Sequence, residues 1–300
     1  MQEKSLTLTP QVSLSDKIQD YIQLTKLRLS SLVVFSAAMG YVIATNGNFS
    51  WPNFLLLMLG GFLVTGASNA FNQIIEKDLD RLMVRTADRP LPTGRMTVTE
   101  AMVAAFLMGI SGVLILWLKM NALCGIFSLL SLLLYAVVYT PAKRITSFSV
   151  LIGAVPGAFP PLLGWIAAKN EIGLEGLVLY AIQFIWQFPH FWAIAWMLHD
   201  DYQKAGFKML PSGTGRTKHS AFQTLVYSIC LIPMGFLPHF FGFTGMVSTG
   251  LIIVCGIFFS VQAYRLYVSC EMKAAQKLMF GSFIYLPVVQ MIWMIDKLFQ

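Results

Sequence analysis

Asn72, Glu76 and Asp80 recur at intervals of four at the end of a long apolar run, inside the stretch NQIIEKDLDRLMVRTADRP. On a helix each such step overshoots a full turn by only about 40°. One amide oxygen and two carboxylates therefore share a face, while Asp78 falls on the far side. This is an all-oxygen set suited to Mg²⁺, a hard ion that keeps several waters and is completed by substrate phosphates. Arg81, Arg85, Arg89 and Arg95 lie in or just after the pattern, and guanidinium groups can grip phosphate oxygens in pairs. Acid, metal and arginine together describe a site for a diphosphate. A loop that only turns the chain round in water would need neither carboxylate.

Further candidates are scattered along the chain. Asp200 and Asp201 form a second acidic helix end, with Lys204 and Lys208 close behind; Lys143 and Arg144 close a short loop between them and the first. His190 sits within an apolar run, and an ionisable side chain at membrane depth is a functional candidate by default. A histidine satisfied by a neighbouring helix is the plainer alternative. Cys124, Cys230, Cys255 and Cys270 show no metal-type spacing and read as small packing residues.

The elements that must hold these groups are set by composition. The chain of 300 residues is 56% hydrophobic and 12% charged, with a mean hydropathy of +0.67. A soluble protein of ordinary composition carries about twice that charge. A helix needs roughly 20 apolar residues to cross a bilayer, and nine stretches qualify: 29–46, 53–71, 99–118, 121–140, 147–168, 173–198, 220–241, 245–267 and 279–298. The runs are continuous rather than alternating, which excludes a β-barrel. The expected fold is all-α, a bundle of about nine transmembrane helices in one domain over residues 29–300, preceded by a polar segment at 1–28. That segment lacks a short apolar core with a cleavage site, so the first helix is expected to stay in place.

With nine spans, the N-terminal segment and every second loop share one side. That side holds 18 of the 21 Lys and Arg residues, and only Lys119, Lys169 and Lys297 fall opposite. Such bias orients a membrane protein with its basic side in the cytoplasm, which places the N-terminus and both acidic helix ends there, in the cytoplasmic (inner) membrane. The net charge of +7 then needs no nucleic-acid partner. A secondary transporter would bind its substrate near the bilayer midplane, whereas these carboxylates gather at one surface. A structural subunit would need neither acidic helix end.

The pattern Asn72-x-x-x-Glu76-x-x-x-Asp80, followed by Arg85-Thr86 and Arg89-Pro90-Leu91-Pro92-x-Gly94, resembles the first acidic motif of the UbiA-type intramembrane prenyltransferases. YTPAKRIT (139–146), GAVPGAFPPLLGW (153–165), WQFPHFW (186–192) and DYQKAGFKMLP (201–211) narrow the likeness to the branch that farnesylates heme. The resemblance runs from about residue 20 to the C-terminus. It implies Mg²⁺ as cofactor, held by Asn72, Glu76, Asp80, Asp200 and Asp201. Arg81, Arg85, Arg89, Lys143, Arg144, Lys204 and Lys208 would bind the diphosphate, and His190 would stand beside the porphyrin as iron ligand or propionate partner. The implied reaction joins the farnesyl group of farnesyl diphosphate to a vinyl group of heme b, followed by addition of water, giving heme O and diphosphate. The rival acceptor within the family is a quinone precursor or another aromatic. The implied surroundings are the lipid bilayer and a product-accepting partner, either a heme-modifying enzyme or a terminal oxidase assembly. Three positions depart from the pattern: Glu76 stands where Asp is common, Ala205 where the second motif usually has its second Asp, and Ser149 where Asn is expected.

Overall fold

The computed structural model describes residues 13–45, 47–212 and 215–299, and among these there is no β-strand. Among the described residues a surface helix, α1 (Leu14–Thr25), precedes nine helices long and apolar enough to cross a membrane. These are α2 (Leu27–Thr45), α3 (Trp51–Ile75), α4 (Val98–Met120), α5 (Ala122–Ile145), α6 (Ser149–Lys169), α7 (Leu174–Met197), α8 (Lys218–Phe240), α9 (Met246–Ser269) and α10 (Met272–Leu298). All nine expected spans are present, and the chain is a multi-pass membrane protein. Most boundaries fall within a few residues of the apolar runs. Three extend well past them: α3 continues to Ile75, α5 continues to Ile145 and α10 begins at Met272, because a helix end can project beyond hydrocarbon as long as its own hydrogen bonds continue.

The described part of the polar segment before the first span, from Ser13 onward, is mostly helical. Ser13 caps α1 by accepting from the Ser15 amide. Lys17 pairs with Glu100 at 3.0 Å and Asp20 with Arg95 at 2.9 Å, which straps α1 across the loop that follows α3. Leu14, Ile18 and Ile22 stay exposed, as suits a helix lying in the membrane interface. Lys26 ends α1 in the left-handed region, with φ 48° and ψ 57°, and α2 starts at the next residue. A side chain there costs on the order of 1–2 kcal/mol, so the turn must be held by contacts elsewhere.

Helix α6 is the most buried of the nine. A Cβ on Gly40 of α2 would come within 2.0 Å of the Pro161 carbonyl oxygen, and one on Gly164 within 2.1 Å of the Ala37 carbonyl oxygen. These glycines let the two backbones touch, the usual device for helix packing in lipid. Pro156, Pro160 and Pro161 break α6 at Ala158. Pro161 has no amide hydrogen to give Gly157, four residues back; the Gly157 oxygen instead accepts from Gln183 Nε2 of α7 at 2.8 Å. Helix α5 widens into a π-turn over Leu134–Tyr139, a wider coil often found at functional sites, before its last α-helical stretch, Thr140–Ile145. It sets Tyr135, Tyr139 and Lys143 along one side of the bundle's interior.

Candidate active site

The helical ladder survives the break at the end of α3. Glu76 N donates to Asn72 O at 3.0 Å and Asp80 N to Glu76 O at 2.8 Å, so the three oxygen-bearing side chains stack as their spacing requires. Asn72, Glu76 and Asp80 are all buried, with Asp80 fully so, whereas the Asp78 side chain is 84% exposed.

Each buried carboxylate faces a cation. Lys143 Nζ stands 2.6 Å from Glu76 Oε1, yet off the line a hydrogen bond requires, so the contact is an ion pair and Oε1 keeps its directed lone pairs. Glu76 Oε2 accepts from Asn72 Nδ2 at 2.8 Å. Arg89 Nη1 meets Asp80 Oδ2 at 2.7 Å, and Asp80 Oδ1 is buried with no hydrogen-bond partner. Buried charges persist only when paired, and here the pairing leaves carboxylate oxygen to spare. Among the described residues no three Asp, Glu, His or Cys side chains form a ready metal cluster. A hard cation that takes one or two carboxylates and completes its shell from substrate phosphate fits this donor set without such a cluster.

Two contributors were not visible in the motif. Lys26, at the left-handed turn, donates to Asn72 Oδ1 at 3.0 Å. Burial of its ammonium, together with the positive charges of Arg89 and Lys143, lowers its pKa well below the usual lysine range, with Glu76 and Asp80 pulling the other way. Thr140 accepts from Asn72 Nδ2 at 3.3 Å and donates to the Tyr135 carbonyl at 2.9 Å, so the π-turn is tied to the carboxylate face. Nothing in the spacing of a lysine in an amphipathic segment 46 residues upstream would single it out.

The remaining candidates separate by position. Asp201 accepts from the Arg85 amide at 3.2 Å and from Lys204 at 2.9 Å, joining the second acidic end to the loop that carries the first. Asp200 is exposed and takes both its contacts, at 3.1 and 3.2 Å, from Arg216. Arg81 braces its own loop through the Pro92 carbonyl at 3.0 Å, and Arg95 is spent on Asp20, Gln23 and Asp88. Lys208 reaches the Ile145 carbonyl at 3.3 Å, and its amide bonds the Lys143 carbonyl at 2.7 Å; Arg144 is exposed. The Arg85 guanidinium lies beside Tyr202.

Below this mouth lies an apolar cavity of about 250 Å³ between α2, α3, α5, α6, α7 and α10. Tyr135 and Tyr139 are at its upper wall, while Leu29, Leu32 and Phe283 line it and are also exposed on the lipid-facing surface. Its lining holds no carboxylate, amine or guanidinium. His190 is in the wall, stacked on Trp186 with ring centres 4.6 Å apart. Its Nδ1 is 2.7 Å from Ser282 Oγ, whose own proton goes to the Met279 carbonyl. With the serine proton given to Met279, Nδ1 would be the donor and Nε2 would carry the lone pair. The kink of α6 puts Pro156 and Pro160 in the same wall.

Residues 33–286 match the model of the UbiA prenyltransferase family. The chain belongs to that family. A protoheme IX farnesyltransferase of Cytophaga hutchinsonii is 50% identical over 95% of this chain and 100% of its own length. Among solved structures, one of a digeranylgeranylglyceryl phosphate synthase superposes with a TM-score of 0.79 at 19% identity, covering 95% of this chain and 100% of that one. Another, a UbiA homolog from Archaeoglobus fulgidus bound to GPP and Mg²⁺, gives 0.67 at 15% identity, with 92% and 99% coverage. At these identities the two structures speak for the fold.

Proposed function

We propose that this enzyme transfers a farnesyl group from farnesyl diphosphate to a vinyl group of heme b, giving heme O and diphosphate. The observation that carries the reading is the junction itself: a buried acid–base mouth set directly above an apolar cavity that reaches the lipid surface. The kinship with proteins named protoheme IX farnesyltransferase supports heme as the acceptor, ahead of a quinone precursor or another aromatic.

Glu76, Asp80 and Asn72 would hold Mg²⁺, with Asp201 closing the site from the second acidic end. When bound, the ion supplies positive charge against the departing diphosphate. Lys26, Arg85, Arg89 and Lys143 supply further positive charge there, and Lys204 and Lys208 border the entrance. Because these groups are already positioned, stabilising the leaving group costs little reorganisation. Tyr135 and Tyr139 separate the mouth from the cavity and keep bulk water from the allylic cation as it forms. The vinyl π-bond attacks C1 of that cation, and water then adds to the cation left beside the ring and loses a proton to solvent, leaving the hydroxyl. No activated serine or cysteine is required. Leu29, Leu32 and Phe283 mark the side from which membrane-dissolved substrates enter, and His190 stands in the acceptor half with Nε2 free to meet heme.

The basic side is read as cytoplasmic, in the inner membrane. Single cysteines at Asn48 and Lys208 in a cysteine-free background should then label from opposite sides, Lys208 only with cytoplasmic access. Purified protein supplied with heme b, farnesyl diphosphate and Mg²⁺ should release a hydroxyethylfarnesyl heme, identified by mass spectrometry. Turnover of an aromatic acceptor with no porphyrin product would move the reading to the rival.

A further inference from the structure

The cavity wall is largely apolar, and its polar side chains include an interlocked set contributed by three helices. Ser36 of α2 donates to Gln183 Oε1 of α7 at 2.6 Å, and Gln290 of α10 donates through Nε2 to Ser36 Oγ at 2.7 Å and to Gln183 Oε1 at 3.1 Å. All three side chains line the cavity. Gln290 is only 3% exposed, and its Oε1 has no hydrogen-bond partner among the described residues. The nine-helix bundle has ample apolar side chains for this position, and a buried unpaired amide oxygen is costly. The catalytic mouth does not use it.

Depth suggests what it does. Ser36 lies nine residues beyond Leu27, the first residue of α2, about 14 Å of rise, and Lys26, which directly precedes that helix, belongs to the charged mouth through Asn72. The main chain of a farnesyl group is twelve carbons, and bonds of about 1.5 Å drawn in zigzag extend it roughly 14 Å. A tail anchored at the mouth by its diphosphate therefore ends where the amides begin.

We propose that Ser36, Gln183 and Gln290 form a polar stop that limits the prenyl donor to three isoprene units. This rests on the reading of the mouth as a prenyl diphosphate site. A farnesyl tail leaves Gln290 Oε1 room to be hydrated. A fourth unit presses hydrocarbon onto that oxygen, displacing hydration it cannot replace. The discrimination is thus built from an unpaired polar group set against the wrong ligand. The neutral amides suit this role: they disfavour contact with hydrocarbon without burying a charge in the cavity wall.

The test compares farnesyl with geranylgeranyl diphosphate in the parent, Gln290→Leu and Ser36→Ala, by diphosphate release with whichever acceptor turns over. Leaving a buried acceptor unpaired implies a parent preference for farnesyl of roughly tenfold to a hundredfold in kcat/KM. Gln290→Leu should narrow that ratio at least about tenfold by raising geranylgeranyl use, a gain that mere loss of packing would not produce. Ser36→Ala, which removes one of the amide's two anchors, should shift it less in the same direction. A folded Gln290→Leu protein with the parent's ratio overturns the proposal, as does a parent that uses both donors equally. Should Gln290→Leu fail to fold, an unchanged ratio in Ser36→Ala overturns it. Failure to prenylate heme while another acceptor turns over would sink the functional reading instead, and the ratio could still be measured on that acceptor.

Discussion

The molecule has two acidic helix ends on its basic side, and they are built differently. At the end of α3, Glu76 and Asp80 are buried; Glu76 takes its cation from another helix, Lys143 on α5, and Asp80 from Arg89, further along the loop that follows α3. At the end of α7, Asp201 takes its lysine from its own helical turn, and Asp200 is 72% exposed against Arg216. An exposed pair at short range contributes little. A buried one made across the fold must be complete, because removing one partner strands the other. The first end therefore reads as the chemical centre and the second as a latch that holds the intervening loop over it. In this chain the two ends are not equivalent.

The contrast predicts unequal losses. Asp80→Asn and Glu76→Gln should each lower turnover on the order of a thousandfold, as the loss of a preorganised charge at a reacting centre does. Neutralising Asp78, which points to solvent, should leave most of the activity. Equal losses at 76, 78 and 80, with no response of Glu76→Gln to added Mg²⁺, would reduce the face to diffuse charge.

A smaller effect is expected at the turn between α1 and α2. Lys26→Met should lower turnover roughly tenfold to a hundredfold, since it removes one charge-assisted contact at the mouth. Lys26→Gly should lose as much activity, yet melt no lower than Lys26→Met, because glycine relieves the left-handed backbone. Thermal melts in detergent beside steady-state rates separate the two contributions.

Asp201→Asn tests the latch. It should raise KM for the diphosphate substrate about tenfold while changing kcat less, since it frees the Arg85 amide without touching Glu76 or Asp80. The Lys204 contact, then the amides of Arg85 and Val84, hold the Asp201 carboxyl below its usual range against the opposing effect of desolvation. A depressed pKa means the latch holds above the ordinary carboxylate range and releases as pH falls through the lowered value. The parent's KM should rise on acidification, and that of Asp201→Asn should stay flat. Smallest of all, Asp200→Asn should change rate and melting point less than about twofold and a degree or two. A large loss there would erase the distinction between the two ends.

Much of this was legible in the chain. Apolar run length gave all nine spans, because the bilayer imposes it directly. The stack of Asn72, Glu76 and Asp80 was equally readable, since spacing by four survives a helix break that keeps its hydrogen bonds. The partners were not. Lys143 and Arg89 were visible as charges, but the pairing of Lys143 with Glu76 depends on how α3 and α5 pack, and that of Arg89 with Asp80 on how the loop after α3 folds back. Lys26 enters the site only because a left-handed residue turns α1 onto the loop. Arg81 and Arg95 read as diphosphate ligands by type, and the fold engages them in bracing; Asp200, read as a metal ligand, faces Arg216. The amides of Gln183 and Gln290 gave no signal, because a lone glutamine in an apolar run has meaning only through what stands opposite.

An amide side chain looks nearly the same either way up, and ordinarily its neighbours decide its orientation loosely. Here the decision is made by a hydrogen that does not exist. Pro161 cannot serve the Gly157 oxygen, so Gln183 must present nitrogen to α6, and its oxygen is thereby turned toward Ser36 and Gln290. The ring of one proline thus sets the direction in which donors and acceptors run across three other helices. Restoring the missing hydrogen with Pro161→Ala would leave the helices in place and let that direction reverse.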